Sequence, residues 1–564
     1  MRKQKTEGEK TTYRYAVLCS RQTLRFIYNV SATSVGVGDS TTRRASAPIF
    51  RDGKPVPYDS DINTSALSVG YANFDVPPCA STQKIKTRND AMFTQKFSTD
   101  FQHNRTLLKN ALRSDQCFDI IERSITLNSK DAVMFYIDGF VKDDTMEHIM
   151  EFFYQNTDDN IVKDARTFAS YCVPYVEVDV LSDINAVVKN VLSGISCIMI
   201  DGFSECVMLD MRTYPQRGTS EPQDDKVLRG SKDGFVETLI FNCALIRRRI
   251  RDPHFTTTVL SAGTSSQTDI VMCYMDDKVD KTLLNTLKKK IENLDVESLS
   301  MNQQSLIEAL YPHKWYNPFP KVKYTERPDV AAAVCLKGSI IILVDNSPSA
   351  LLLPTSIFEV LEEADDYYFP PITGTYIRIA RYLITFVSVL LTPLWLLAVQ
   401  NPDYVPEALK FVIPDQSNVN IPIFLQLILI EIGIDGLRLA ALNTPDSLSA
   451  SLSIIGAIAF SEFAINTGWF SMEVILYMAF VTIATYSQPS YELGYSLKFM
   501  RIILLILTRV LNFWGFVAGI ILNIVLLFTN KTLSGKSYMY PLFPLHPKEL
   551  LLKLTRIRTT AKKN

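Results

Sequence analysis

The hydrophobic pattern changes character twice along the chain. Up to about residue 105, apolar runs are short and broken by Ser, Thr, Asn, Asp, Gly and Pro, as in Val35–Arg44, so 1–104 is expected to be a weakly ordered arm. From Asn104 to Arg123, Leu107, Leu108, Leu112, Phe118, Ile120 and Ile121 recur at helical spacing. Ala132–Val141 is a continuous apolar run interrupted at Asp138-Gly139, and the following stretch predicts a helix burying Met146, Ile149, Met150, Phe152 and Phe153. Ser196–Phe203 and Cys206–Asp210 read as two strands around Asp201-Gly202, a dipeptide that tolerates positive φ and favours hairpins. A looser copy occurs at Ser339–Asn346. Helices are predicted over 181–192, 235–250 and 279–294, with a strand at Asp269–Met275. The alternation predicts an α/β (α+β) soluble region of repeated units, divided here as 105–210 and 211–377.

Beyond residue 378 the pattern is different. Five apolar segments, 382–399, 421–441, 451–467, 470–487 and 499–529, predict a polytopic helical membrane domain over 378–530, since a span needs about 20 apolar residues. Some carry charge. Glu431, Asp435 and Arg438 are four and three residues apart and share one helical face; Glu462 lies in the third segment, and Arg501 and Arg509 lie in the fifth. Charge at the bilayer centre costs about 2.5–3.5 kcal/mol per residue on insertion scales. Glu431, Asp435, Arg438 and Glu462 are therefore candidates for a pore or a subunit seam, the rival reading being a helix lying among headgroups. Arg378 and Arg381 precede the block; Lys531 and Lys536 follow it, and the tail 531–564 has eight Lys/Arg against one Glu. By the positive-inside rule both flanks face the cytoplasm, which demands an even number of crossings from five segments. One segment must fail to cross or be split: the charged second segment is the suspect, the alternative being that the 31-residue fifth is an interfacial helix followed by a span.

Composition narrows the chemistry. A net charge of −1 gives no electrostatic case for nucleic acid. Nine cysteines, none in Cys-x-x-Cys, read as reduced thiols of a cytoplasmic domain, and no metal or cofactor is expected. No signal peptide, phosphate loop, dinucleotide fingerprint or nucleophile elbow is visible, so no enzyme activity is expected. Arg247, Arg248, Arg249 and Arg251 end a helix before Pro253. They suit a helix C-terminus, and are candidates for a partner or anionic-lipid contact.

Several of these stretches together resemble the GerA family of spore germination proteins, in its A-type subunits. They are Ser193–Gly202, Arg229–Leu239, Ala244–Pro253, Thr325–Asp329 and the Asp365-Asp-Tyr-Tyr368 approach to the membrane, in order over about 105–544. The resemblance implies a spore inner-membrane protein with its N-terminal domain and tail on the core side. It also implies B-type and C-type germination subunits as partners, homo-oligomerisation and an ion channel. The alternatives are a scaffold that assembles a germination complex and conducts nothing, or the related stage V sporulation AF branch, linked to dipicolinate release.

Overall fold

The computed structural model describes residues 96–127, 129–155, 163–175, 177–214, 230–311, 316–414, 420–443, 454–456 and 462–556. The arm expected at 1–104 lies almost wholly outside them.

The soluble region is one topology used twice. Its first copy runs α1 (Phe101–Leu112), β1 (Ile120–Leu127), β2 (Lys130–Ile137), α2 (Asp143–Gln155), α3 (Ala165–Tyr171), β3 (Val178–Leu181), α4 (Ile184–Val191), β4 (Ser196–Ile200) and β5 (Cys206–Leu209). The second runs α5 (Leu239–Arg247), β6 (Phe255–Ala262), β7 (Thr268–Met275), α6 (Lys281–Glu292), α7 (Gln303–Leu310), β8 (Lys323–Thr325), α8 (Pro328–Cys335), β9 (Ile340–Val344) and β10 (Ala350–Leu353). The sheets are ordered β1-β2-β4-β5-β3 and β6-β7-β9-β10-β8, the same path shifted by five strands. Both are antiparallel, with Ile198 opposite Val207 in one and Ile342 opposite Leu351 in the other.

Each sheet is covered on both faces. In the first, Val133, Phe135, Ile137, Cys197 and Met199 pack under α1 and α4, while Met134, Ile198 and Ile200 pack under α2 and α3. In the second, Met272, Ile342 and Val344 meet α6 and α7, and Cys273, Ile341 and Leu343 meet α5 and α8. Double burial is why the inner strands read as unbroken apolar runs without a polar face. The turns are as expected: Gly139 and Gly202 have φ of +76° and +83°, and Asn346 stands at +57°.

The helix expected over 104–123 is shorter. It stops at Leu112, where Arg113 takes φ 58°, and Ile120 and Ile121 open an edge strand. Their spacing is compatible with either structure, and pairing with β2 decides it. Helices α9 (Ile357–Leu361) and α10 (Asp365–Tyr368) then lead into the helical block.

Here α11 (Pro371–Gln400) is 30 residues long and begins eleven residues before the apolar segment read from sequence. It is followed by α12 (Ile423–Asn443), α13 (Glu462–Asn466), α14 (Met472–Tyr486), α15 (Tyr491–Thr529) and the tail helix α16 (Pro547–Leu554). Among the described residues, α11 and α15 are long and apolar enough to cross a membrane, and α14 is a shorter apolar helix.

The 39-residue α15 is two helices, because Asn512 has φ 52° and ψ −131°. A Cβ on Gly515 would lie 1.9 Å from the Leu507 carbonyl oxygen, and one on Gly519 would lie 3.4 Å from the Leu504 Cα. In a straight helix, residues 504 and 519 would be about 22 Å apart. The second half therefore folds back on the first as a hairpin. At the end of the block away from the soluble region, the Asn401 and Asn512 side chains bond each other, and Asn420 N–H donates to Gly468 O. At the near end Phe319, Val360 and Leu361 share a core with Leu493, Leu497 and Tyr538. The chain therefore leaves the soluble side along α11, returns along α12, and reappears at the far end by α13. It comes back along α14, goes out along the first half of α15 and returns along the second. Among the described residues five passes are traced, by α11, α12, α14 and the two halves of α15, and segment five of the sequence reading is split at Asn512.

A buried charge network in the helical block

Glu431, on α12, is 7% exposed, with Gln426, Leu427 and Ile430 buried beside it on the same helix. Its carboxylate accepts from Arg501 at 2.5 Å and lies 3.2 Å from the Lys498 ammonium. Lys498 also pairs with Asp435, one helical turn along α12. Arg501 donates a second bond to the Ser388 carbonyl of α11 at 2.7 Å. A carbonyl oxygen has two lone pairs, so that of Ser388 can accept from Arg501 beside a bond within its own helix. Two acids and two bases thus join α11, α12 and α15 in an electroneutral set.

Arg438, one turn further, is not part of it. Its guanidinium lies 5.4, 4.8 and 4.9 Å from the ring centres of Tyr486, Tyr491 and Tyr495, a cation–π cage joining α12 to α14 and α15. Glu462 opens α13, and its side chain lies outside the described residues, as does most of the small-residue stretch 451–461. The structure thus brings Glu431 and Asp435 together and sets Arg438 beside them. The partners Lys498 and Arg501 escape a sequence reading because they lie some 65 residues away. Their one signal is position, three apart in an otherwise apolar segment, on one face like their acids.

A second ionic cluster sits where the soluble region meets the block. Asp366, fully buried, accepts from Arg381 at 2.8 Å and Arg378 at 3.3 Å. Arg378 also pairs with Glu362 at 3.0 Å, and Arg381 with Glu363. Lys553 of α16 pairs with Glu359 at 2.6 Å. Burial opposes the charge on Glu359, but Lys553 and the bonds from Ser356 outweigh it and hold the carboxyl below its ordinary value. For Lys553 the balance runs likewise: burial lowers it, Glu359 and Glu362 raise it more, and the ammonium stands above its ordinary value. Arg378 and Arg381, read from sequence as a cytoplasm-facing flank, are buried and bind Asp366.

The sequence model described as Bacillus/Clostridium GerA spore germination protein matches residues 106–564, a span that takes in both sheets, both ionic clusters and the tail. The chain belongs to the GerA family. Stage V sporulation protein AF of Bacillus subtilis (strain 168) is 35% identical over 454 residues, 80% of this chain and 92% of that protein. Spore germination protein KA of the same organism is 28% identical over 432 residues, 76% and 79% of the two chains. A crystal structure of the N-terminal domain of the A subunit of the Bacillus megaterium spore germinant receptor GerK3 is also similar. It covers 46% of this chain and 96% of that one at 22% identity, with a TM-score of 0.33.

Within this GerA-family chain the arginine cluster at the end of α5 divides. Arg247, expected as a partner or lipid contact, is fully buried and binds Asp119 through two bonds of 2.8 Å, with Phe255 O at 3.1 Å. Burial works against its charge, and Asp119 more than restores it, so the guanidinium stays above its ordinary value. Thr257 also donates to Asp119, so this pair ties the two sheet units together. A helix C-terminus at the boundary of two units faces protein on every side, which the local sequence does not reveal. Arg248 lies over Tyr214, Arg249 pairs with Asp233, and Arg251 is exposed.

Proposed function

We propose that this germination-family protein is an integral membrane subunit of A-type character, set in the spore inner membrane with its soluble region and tail on the core side. In this reading it assembles with copies of itself and with B-type and C-type subunits, and its helical block passes cations. The observation that carries the reading is the neutral Glu431–Arg501–Lys498–Asp435 set. Four charges among apolar helices are costly as mere scaffolding, since hydrophobic residues of similar volume are often as stable or more so. Paired as they are, they close the block; separated, they expose two carboxylates to a passing cation. The junction cluster on Asp366 is the element by which movement of the soluble region reaches α11. No catalytic role is assigned to any residue.

The test is ion flux through liposomes holding the purified chain, alone and with its partner subunits. Glu431→Gln and Asp435→Asn are expected to reduce cation flux at least tenfold at unchanged protein content. Flux equal to that of the unmodified chain in both variants rejects a conducting role for these carboxylates.

A second reading is favoured by the higher identity and fuller coverage of stage V sporulation protein AF relative to spore germination protein KA. It makes the chain a non-conducting scaffold of that branch, supporting dipicolinate release. Spores lacking the chain would then respond normally to nutrients yet release dipicolinate slowly.

A further inference from the structure

The tail does not hang free from the last helix. After α15, Asn530 is buried, Ile357 N–H donates to Tyr538 O, and α16 returns to the first turns of α11. One face of α16 is tied down: Lys553 pairs with Glu359 and Glu362, Arg378 donates to the Lys553 carbonyl at 3.3 Å, and Arg556 N–H donates to the Thr375 hydroxyl at 3.0 Å. The opposite face carries Lys548, Leu551 and Leu552, and is open. Leu551 and Leu552 are 57% and 53% exposed, and Phe543 and Leu545 in the approach are 56% and 63% exposed.

The position of this face decides its use. Thr375 and Arg378 fix α16 beside the first turns of α11, whose outward stripe, Ile372, Tyr376, Ile379, Leu383 and Phe386, is itself exposed and apolar. If that stripe meets lipid, α16 lies at the level where the helix enters the bilayer. A short helix with two leucines and a lysine outward, in a tail of eight Lys/Arg against one Glu, has the chemistry of an interfacial segment. Lysine stems reach along apolar surface while the ammonium stays at the headgroups. We propose that the outer face of α16 binds the headgroup layer of an anionic lipid leaflet, and so pins the soluble region against the membrane surface. The occupant is lipid and not a protein groove, because this apolar face is held beside the first turns of α11, whose own exposed stripe is apolar, and the surplus charge is positive. This rests on the membrane reading above.

The experiment uses the full chain in vesicles of brominated phosphatidylglycerol or brominated phosphatidylcholine, with tryptophan emission as the readout. Native Trp469 and Trp514 are 57% and 74% exposed on the helical block, and their quenching by either lipid reports embedding independently of the tail. Leu552→Trp and, separately, Leu551→Trp add a probe, read as the difference from the unmodified protein. The added emission is expected to be quenched at least twofold more in phosphatidylglycerol, and the preference is expected to vanish with Lys548→Glu. Added emission that either lipid leaves unquenched, while the native signal is quenched, overturns the proposal. Equal quenching by both lipids overturns it too, since insertion would then be apolar alone. A native signal that neither lipid quenches strikes the membrane reading itself.

Discussion

Arg247 and Glu431 show the same physics in two solvents. Each is a charge with almost no exposure, and each is tolerated because its partner is fixed. Removing one member of a buried pair typically costs about 3–5 kcal/mol, since the survivor remains charged and unpaired. Arg247→Met is therefore expected to lower the stability of the soluble region by that order, while Arg247→Met combined with Asp119→Leu recovers much of it. Chemical denaturation of the soluble region within the full chain, followed as a double-mutant cycle, measures the difference. A near-zero coupling between the two positions would sink the idea. Arg247→Lys is not a rescue, because an ammonium cannot reproduce the two parallel bonds to Asp119.

At the scale of elements, α15 and α16 carry the sharpest expectations. Gly515→Ala puts a methyl group into the Leu507 carbonyl, against backbone that cannot yield, and is expected to prevent the hairpin from closing. Gly519→Ala meets chiefly a Leu504 methyl at 2.3 Å, which can turn aside, and is expected to be milder. Cysteine crosslinking between positions 503 and 520 reads closure, and efficient crosslinking in Gly515→Ala would disprove the account. The docking of α16 depends on pH. Glu359 has a lowered pKa, so its contribution is complete above its ordinary value near 4.5 and is lost as pH falls through the lower folded value. Lys553 is raised, so its share is complete below its ordinary 10.5 and is lost as pH rises through the higher folded value. Protease cleavage between α15 and α16 is expected to stay slow through neutral pH and to rise in acid below about 4.5. Glu359→Gln should bring fast cleavage at neutral pH; a flat acid profile in the unmodified chain would contradict it.

Much of this was legible before any coordinates. The Asp-Gly turns, the strands of doubly buried apolar residues and the charged face of α12 are all local signals, and each sits where its spacing put it. What was not legible is long-range. Edge strands β1 and β6 have half-polar sequences, Ile-Ile-Glu-Arg-Ser-Ile-Thr-Leu and Phe-Thr-Thr-Thr-Val-Leu-Ser-Ala, that gain their identity only by pairing. Repeated units were legible from these motifs, but not which copy matches which: Asp201-Gly202 answers Asp345-Asn346, whereas Asp138-Gly139 answers Asp276-Asp277. The place of the break in α15 hid because Asn512 stands in an apolar run with no proline to mark it, while Pro393 leaves α11 continuous.

For the whole molecule, the question is how two differently solvated halves act as one. The shared core of Phe319, Val360, Leu361, Leu493, Leu497 and Tyr538 glues them, but it is apolar and tolerant of small shifts. The directional link is Asp366. It sits between the last soluble helices and α11, and it fixes Arg378 and Arg381 on successive turns of that helix. Gly374 lets this approach happen, since a Cβ there would lie 2.5 Å from the Asp366 carbonyl oxygen. Asp366→Asn keeps the volume and removes the charge that holds both arginines. Each half retains its own core, so the expected result is uncoupling and not collapse: calorimetry of the detergent-solubilised chain should resolve two unfolding transitions where the unmodified protein gives one. The soluble transition should stay within a few degrees of its original position, because neither sheet loses a contact. If the variant still melts in a single transition at an unchanged temperature, the apolar seam alone joins the halves, and the ionic cluster has no part in transmitting movement to the helices.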